Sequence, residues 1–238
     1  MGMRVALVSG ANRGLGFETV RQLARSGYRV ILAARDLDKA ESAAETLRGE
    51  QLDVVSLQLD VTSTESCARL AELGTVDVLV NNAAIMAESD ENPLAVGVLS
   101  RSALDVAPGL VRDAFETNTL GAYRLVQALA PGMRNRGYGR IVNVSSGLGQ
   151  LNGMLGGYPA YRVSKAALNA LTRIFAAELR DAGVLVNSVC PGWAKTDMGG
   201  SQAQLEPAEA VATIVWAATL PDDGPTGGFF RSEQSIPW

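Results

Sequence analysis

A single α/β domain built on a doubly wound parallel sheet is the fold this sequence predicts, and three observations predict it. The chain has 238 residues, enough for one well-cored domain over residues 1–238 and too few for two full ones. Apolar, β-branched runs alternate with amphipathic stretches of helical period, the order expected of strands and the helices that cover them. A glycine-rich turn carrying Gly10, Gly14 and Gly16 joins the first apolar run to the first helical stretch.

Strands are expected at residues 5–9, 29–34, 54–59, 76–80, 140–144 and 184–189. Their runs are nearly continuous in apolar residues, which suits strands buried on both faces. Helices are expected at residues 15–26, 38–48 and 64–73, with two longer ones at 110–135 and 160–182. There is no linker, internal repeat or low-complexity tract. The least regular parts are residues 86–108, which carry Glu88, Asp90, Glu91, Asn92 and Pro93, and residues 199–206. In a doubly wound sheet such loops lie over the carboxyl ends of the strands, where ligands bind.

Composition narrows the chemistry. No histidine is present, which excludes a Ser-His-Asp triad and the commonest metal ligand. Cys67 and Cys190 stand far apart and make neither a zinc set nor a disulfide framework, so both read as buried thiols and no metal is expected. The net charge of −4 opposes a nucleic-acid partner. A strand beginning at Val5 leaves no room for a signal peptide. Met1-Gly2 opens like a myristoylation signal, but Ala6 stands where Ser or Thr is required. No run of about 18 apolar residues exists, so no membrane partner and a cytoplasmic location are expected.

The turn from Ser9 to Gly16 sits where a sheet of this kind binds a pyrophosphate. Glycine lets the backbone turn sharply and approach the phosphates. The helix that follows offers free N–H groups and the positive end of its dipole. Gly10, Asn12, Arg13, Gly14, Leu15 and Gly16 are therefore candidate cofactor contacts. At the end of the second strand, Ala34 occupies the position where an NAD-binding unit usually carries an acid, and Arg35 follows. Arg13 and Arg35 together suit a ribose 2′-phosphate, which Arg binds bidentately. The competing reading makes Asp36 an NAD acid, one or two residues farther along.

Tyr161 and Lys165 stand four residues apart in a helical stretch, so phenol and ammonium share one face. A free tyrosine, with a pKa near 10, is a poor base at neutral pH. A nearby Lys⁺, joined by the positive nicotinamide ring of an oxidised cofactor, favours the phenolate and would bring the pKa toward working pH. Ser146 lies just past the strand at 140–144, where its hydroxyl can donate to a carbonyl oxygen as charge builds on it. Read in isolation, that serine is an ordinary turn residue, and Asn118 is a mediocre residue inside a long helix.

Taken in order, these motifs resemble the short-chain dehydrogenase/reductase family in its single-domain form, and the resemblance spans nearly the whole chain. The motifs are the glycine turn, Leu59-Asp60-Val61, Asn81-Asn82-Ala83-Ala84, Asn118, Ser146, Tyr161 with Lys165, and Pro191-Gly192 followed by Thr196. Ser9 replaces the usual Thr and Ala84 the usual Gly. The resemblance implies about seven strands in the order 3-2-1-4-5-6-7. It implies Tyr161 as proton donor or acceptor, Ser146 holding the substrate oxygen, and Lys165 binding the nicotinamide ribose. Asn118 would hold a water linked to Lys165. Asp60 with Val61 would meet the adenine, Asn82-Ala83 would support the adenosine ribose, and Thr196 after Pro191-Gly192 would bind the nicotinamide amide or a phosphate.

Residues 32–36 and the tail at 228–238 are similar to those of NADPH-dependent carbonyl reductases in the family, so NADP(H) is the expected cofactor and a small carbonyl or alcohol the expected substrate. Only fourteen residues separate Ser146 from Tyr161, so the insertion found in monomeric members is missing, and a homodimer or homotetramer is expected. A substrate loop is expected near residues 193–206, and Leu148, Gln150, Tyr158, Trp193 and Met198 are the expected pocket residues. The alternative is a non-catalytic NADP(H)-sensing regulatory protein, which would have no need of Ser146, Tyr161 and Lys165 together.

Overall fold

In the computed structural model, residues 2–88 and 102–238 are described. Of the irregular loop flagged in the sequence, Asp90, Glu91, Asn92 and Pro93 lie outside them. The chain runs β1 (Val5–Ser9), α1 (Gly14–Arg25), β2 (Arg29–Ala34), α2 (Leu37–Gly49), β3 (Val54–Gln58), α3 (Thr64–Ala68) and β4 (Val78–Asn81). It continues through α4 (Pro108–Phe115), α5 (Gly121–Arg136), β5 (Gly139–Val144), α6 (Pro159–Leu179) and β6 (Val184–Val189). It ends with α7 (Pro207–Ala210), α8 (Ala212–Ala218), β7 (Phe229–Arg231) and β8 (Gln234–Ser235).

The sheet order is β3-β2-β1-β4-β5-β6-β7-β8, parallel from β3 to β7. The expected order of about seven strands is present, and among the described residues a two-residue eighth strand extends it at the edge. Ser232 and Glu233 both adopt left-handed backbone (φ 48° and 62°) and fold the chain back, so that β8 pairs antiparallel with β7. That is the primed two-residue hairpin geometry, formed here without the Asn-Gly or Asp-Gly pair that would announce it in sequence.

Strand alternation splits the core between the two faces of the sheet. Val8, Leu32, Val80 and Val142 pack with Leu23 of α1, Leu47 of α2 and Ile214 of α8. Leu7, Leu79, Ile141 and Val186 face the other way, against Leu125 and Met133 of α5 and Leu179 of α6.

Two departures from the sequence expectations have local causes. The long helix at 110–135 is interrupted by a wide π turn, Glu116–Leu120, which carries Asn118. The expected helix at 64–73 is α3 followed by a tighter 3₁₀ turn, Arg69–Glu72. Asp36, the residue of the competing NAD reading, is the N-cap of α2, its carboxylate accepting from the Lys39 backbone N–H at 3.2 Å.

Candidate active site

The glycine turn is held by its neighbours. Gly10 has φ +61°, and a Cβ there would come within 2.7 Å of the Ala83 Cα. A Cβ at Gly16 would lie 2.6 Å from the Gly10 carbonyl and 2.5 Å from the Asn82 amide. Asn82 Nδ2 donates to the carbonyls of Ser9 and Gly10, each at 2.9 Å. The Ser9 hydroxyl accepts from the N–H groups of Asn82 and Ala83, each at 3.1 Å. The Asn82 amide is thus occupied in shaping the turn. No side chain caps the N-terminus of α1, so its first N–H groups stay available to an anion.

From this turn a cavity of about 930 Å³ follows the carboxyl edge of the sheet. It brings together every cofactor residue selected from sequence. Gly10, Asn12, Arg13, Gly14, Leu15 and Gly16 line it from the turn, Arg35 from the end of β2, and Asp60 and Val61 from the segment after β3. Asn82 and Ala83 follow β4, and Pro191, Gly192 and Thr196 follow β6. Arg13 pairs with Asp197 at 2.6 Å across the mouth, both side chains being exposed. Burial would raise the Asp60 carboxyl, but hydrogen bonds from Thr62 and the Arg35 charge bring it below its ordinary value.

The far end of the cavity is built by β5, β6 and α6. Ser146, Tyr161 and Lys165 all line it. The short turn Gly147–Gly149 packs on α6, where a Cβ at Gly149 would meet the Lys165 side chain at 2.7 Å. Lys165 is 2% exposed. Its Nζ donates to the Val144 carbonyl at 2.8 Å and lies 5.6 Å from the centre of the Tyr161 ring. Burial brings its amine down to about 7.

In the chain alone, burial raises the Tyr161 phenol, the neighbouring Cys190 and Glu88 add to the rise, and a hydrogen bond with Ser146 only partly opposes them; the expected lowering counts on the cofactor's positive ring as well as Lys165. Desolvation disfavours the phenolate, and an amine half neutral near pH 7 offers little charge to counter it. Ser146 also accepts from the Leu148 N–H at 3.1 Å. Its neighbour Ser145 is 2% exposed, and its hydroxyl has no hydrogen-bond partner.

Other expectations land elsewhere. Asn118 does not line the cavity. Its Nδ2 donates to the Ile85 carbonyl at 2.8 Å and to the Ser164 hydroxyl at 2.9 Å, while its Oδ1 accepts from the Ile85 N–H at 2.8 Å. The π turn thereby ties the segment after β4 to α6. Leu148, Trp193 and Met198 line the cavity, but Gln150 and Tyr158 do not. Gln150 donates to the Pro237 carbonyl at 2.7 Å, and Tyr158 is buried in left-handed backbone just ahead of α6.

Three residues at this end escaped the sequence reading as site residues. Glu88 is 1% exposed and accepts from the Tyr161 N–H at 3.0 Å. Cys190 lies in the cavity wall, and Arg231 reaches it from the end of β7. Each comes from a segment remote in sequence from Tyr161, so spacing carried no signal.

Among the described residues there is no group of three or more candidate metal ligands, and no helix is long and apolar enough to cross a membrane. A family model described as short chain dehydrogenase matches residues 4–206. Carbonyl reductase (NADPH) 1 of Sus scrofa is 32% identical, over 99% of this chain and 94% of that protein. (+)-Neomenthol dehydrogenase of Capsicum annuum is 32% identical, over 97% of this chain and 96% of that protein. A crystal structure of NADPH-bound carbonyl reductase from chicken fatty liver superposes with a TM-score of 0.84 at 26% identity, covering 100% of both chains.

Proposed function

Because the chain belongs to the short chain dehydrogenase family of oxidoreductases, we propose that it is an NADP(H)-dependent reductase converting a small ketone, aldehyde or quinone to its alcohol, with Tyr161 as the proton donor. The observation that carries this reading is the Tyr161 phenol, buried beside Ser146 at the end of the cavity opposite the glycine cradle.

The cavity fits a phosphorylated dinucleotide. Side chains at Gly10 and Gly16 would collide with the turn, α1 presents uncapped N–H groups, and Arg13 and Arg35 supply the positive charge a 2′-phosphate requires. The name of the Sus scrofa relative and the NADPH-bound neighbour point to the same cofactor. When bound, NADP(H) would supply the hydride.

The chain's own residues do the rest. Ser146 would hold the substrate oxygen by donating its hydroxyl, stabilising charge that develops there. Tyr161, kept protonated by burial, would give its proton to that oxygen. Lys165 would bind a ribose hydroxyl while its Nζ stays on the Val144 carbonyl, and Asn118 fixes α6 against the segment at Ile85. The loop at 193–206, closed by a bridge between Ala194 and Leu205 and by the bond from Trp193 Nε1 to the Gly199 carbonyl, would shield the site from water. Exposed Val163 and Ile174 on α6 support association into a dimer or tetramer.

The test is NADPH oxidation with a panel of ketones, aldehydes and quinones. At least one should turn over with a kcat/KM for NADPH about tenfold above that for NADH, and Arg35→Ala should narrow the gap. Absence of turnover across the panel, or equal use of both cofactors, contradicts the proposal.

A further inference from the structure

We propose that Arg231 recognises a carboxylate on the substrate, so that the preferred carbonyl compounds are oxo acids rather than neutral ketones or aldehydes. This rests on the reductase reading above and names the substrate class of the same site.

Arg231 ends β7 and lines the cavity. Its Nε and Nη2 donate to Cys190 Sγ at 3.3 and 3.2 Å, and the same sulfur accepts from the Gly147 N–H at 3.1 Å. A thiol sulfur is a weak acceptor, whereas a guanidinium carries five donors and a permanent charge. The sulfur therefore fixes one edge of the group without neutralising it. Among the described residues, the other three N–H groups of Arg231 have no hydrogen-bond partner and no carboxylate pairs with it. Arg13, Arg21 and Arg124 each do have such a carboxylate. The Nη1–Nη2 edge left over presents the two parallel N–H groups that match a carboxylate.

The charge is also well placed. A Cβ at Gly147 would lie 2.2 Å from Arg231 Nη2, so glycine at this position lets the guanidinium lie against the backbone immediately after Ser146. Arg231 thus stands one residue beyond the hydroxyl assigned to the reacting oxygen. The cations assigned to the cofactor phosphates, Arg13 and Arg35, belong to the opposite end of the cavity. An anion held by Arg231 would belong to the substrate, with its carbonyl directed toward Ser146 and Tyr161.

The experiment compares NADPH-dependent reduction of 3- and 4-formylbenzoate with that of their uncharged methyl esters. For at least one isomer the acid should be favoured over its ester in kcat/KM by about tenfold or more, the scale of a charge-assisted hydrogen bond. Arg231→Leu should bring that acid-to-ester ratio close to one, and Arg231→Lys should retain part of it. Affinity for NADPH is measured alongside. Esters reduced as well as acids by the unaltered protein overturn the inference while leaving the reductase reading in place. So does a ratio that Arg231→Leu leaves unchanged, or a loss of NADPH affinity as large as the loss of acid preference, since Arg231 would then serve the cofactor. Failure of acids and esters alike to oxidise NADPH, across both isomers, overturns this inference; the reductase reading falls with it only if the wider panel of ketones, aldehydes and quinones also gives no turnover.

Discussion

The two ends of the cavity are built on opposite plans. At the glycine turn nearly everything is backbone, and the polar groups that shape it are paired: Ser9 ties β1 to the end of β4, and Asn82 answers two carbonyls at once. At the Tyr161 end the essential groups are side chains from three strands and a helix, and their needs are not all met. The Ser145 hydroxyl and one oxygen of Glu88 are buried without a partner, Lys165 is driven to about 7, and the Tyr161 phenol is driven upward. Buried polar groups left unpaired are costly, and such costs gather where a protein acts. The glycine end is a preformed cradle, whereas the Tyr161 end holds buried polar groups left without a partner among the described residues.

If that contrast is right, the cradle should fail by shape and the other end by charge. Gly16→Ala gives the largest effect expected at the cradle. Its Cβ would press on the Gly10 carbonyl at 2.6 Å, so the turn must open. Affinity for NADPH, followed by fluorescence titration, should fall tenfold or more, about 1.4 kcal/mol, with no dependence on pH between 6 and 9. Affinity within twofold of the unaltered protein would mean that the turn is not a rigid cradle.

Lys165 gives an effect of the other kind. Its folded pKa, about 7, lies below its ordinary value of 10.5. Between those values the unfolded chain binds more protons than the folded one, so stability rises with pH across that window. Below about pH 7 both states carry the proton, and the full penalty for the buried charge remains. The cofactor-free protein should therefore gain up to about 1.4 kcal/mol per pH unit from this residue. Lys165→Met should remove that slope, which denaturant titrations at several pH values between 7 and 9.5 would show. An identical slope in both proteins would place the charge elsewhere and weaken the contrast.

The same contrast explains what the sequence disclosed. The cradle is legible because its residues are local: a strand, three glycines and a helix in one stretch. Tyr161, Lys165 and Ser146 are legible because helical spacing and a strand end place them. What stayed hidden depends on contacts between distant segments. Glu88 meets α6 across 73 residues of chain and Arg231 meets Cys190 across 41. Asn118 looked like a poor helix residue because it is one; the π turn around it exists so that its amide can reach Ile85 and Ser164. Helical period cannot show that interruption, since both flanks keep their apolar stripe. The upward shift of Tyr161 was hidden too, because spacing gives the partner and only packing gives the desolvation.

The account turns on Tyr161 as the proton donor, and one variant addresses it directly. In Tyr161→Phe the ring and its packing are kept while the proton is lost. For a carbonyl substrate that the unaltered protein reduces, kcat/KM should fall by about 10³-fold, within the range for loss of a general acid, while NADPH affinity stays within a few-fold. Turnover within threefold of the unaltered protein, with the cofactor still bound, would contradict the account.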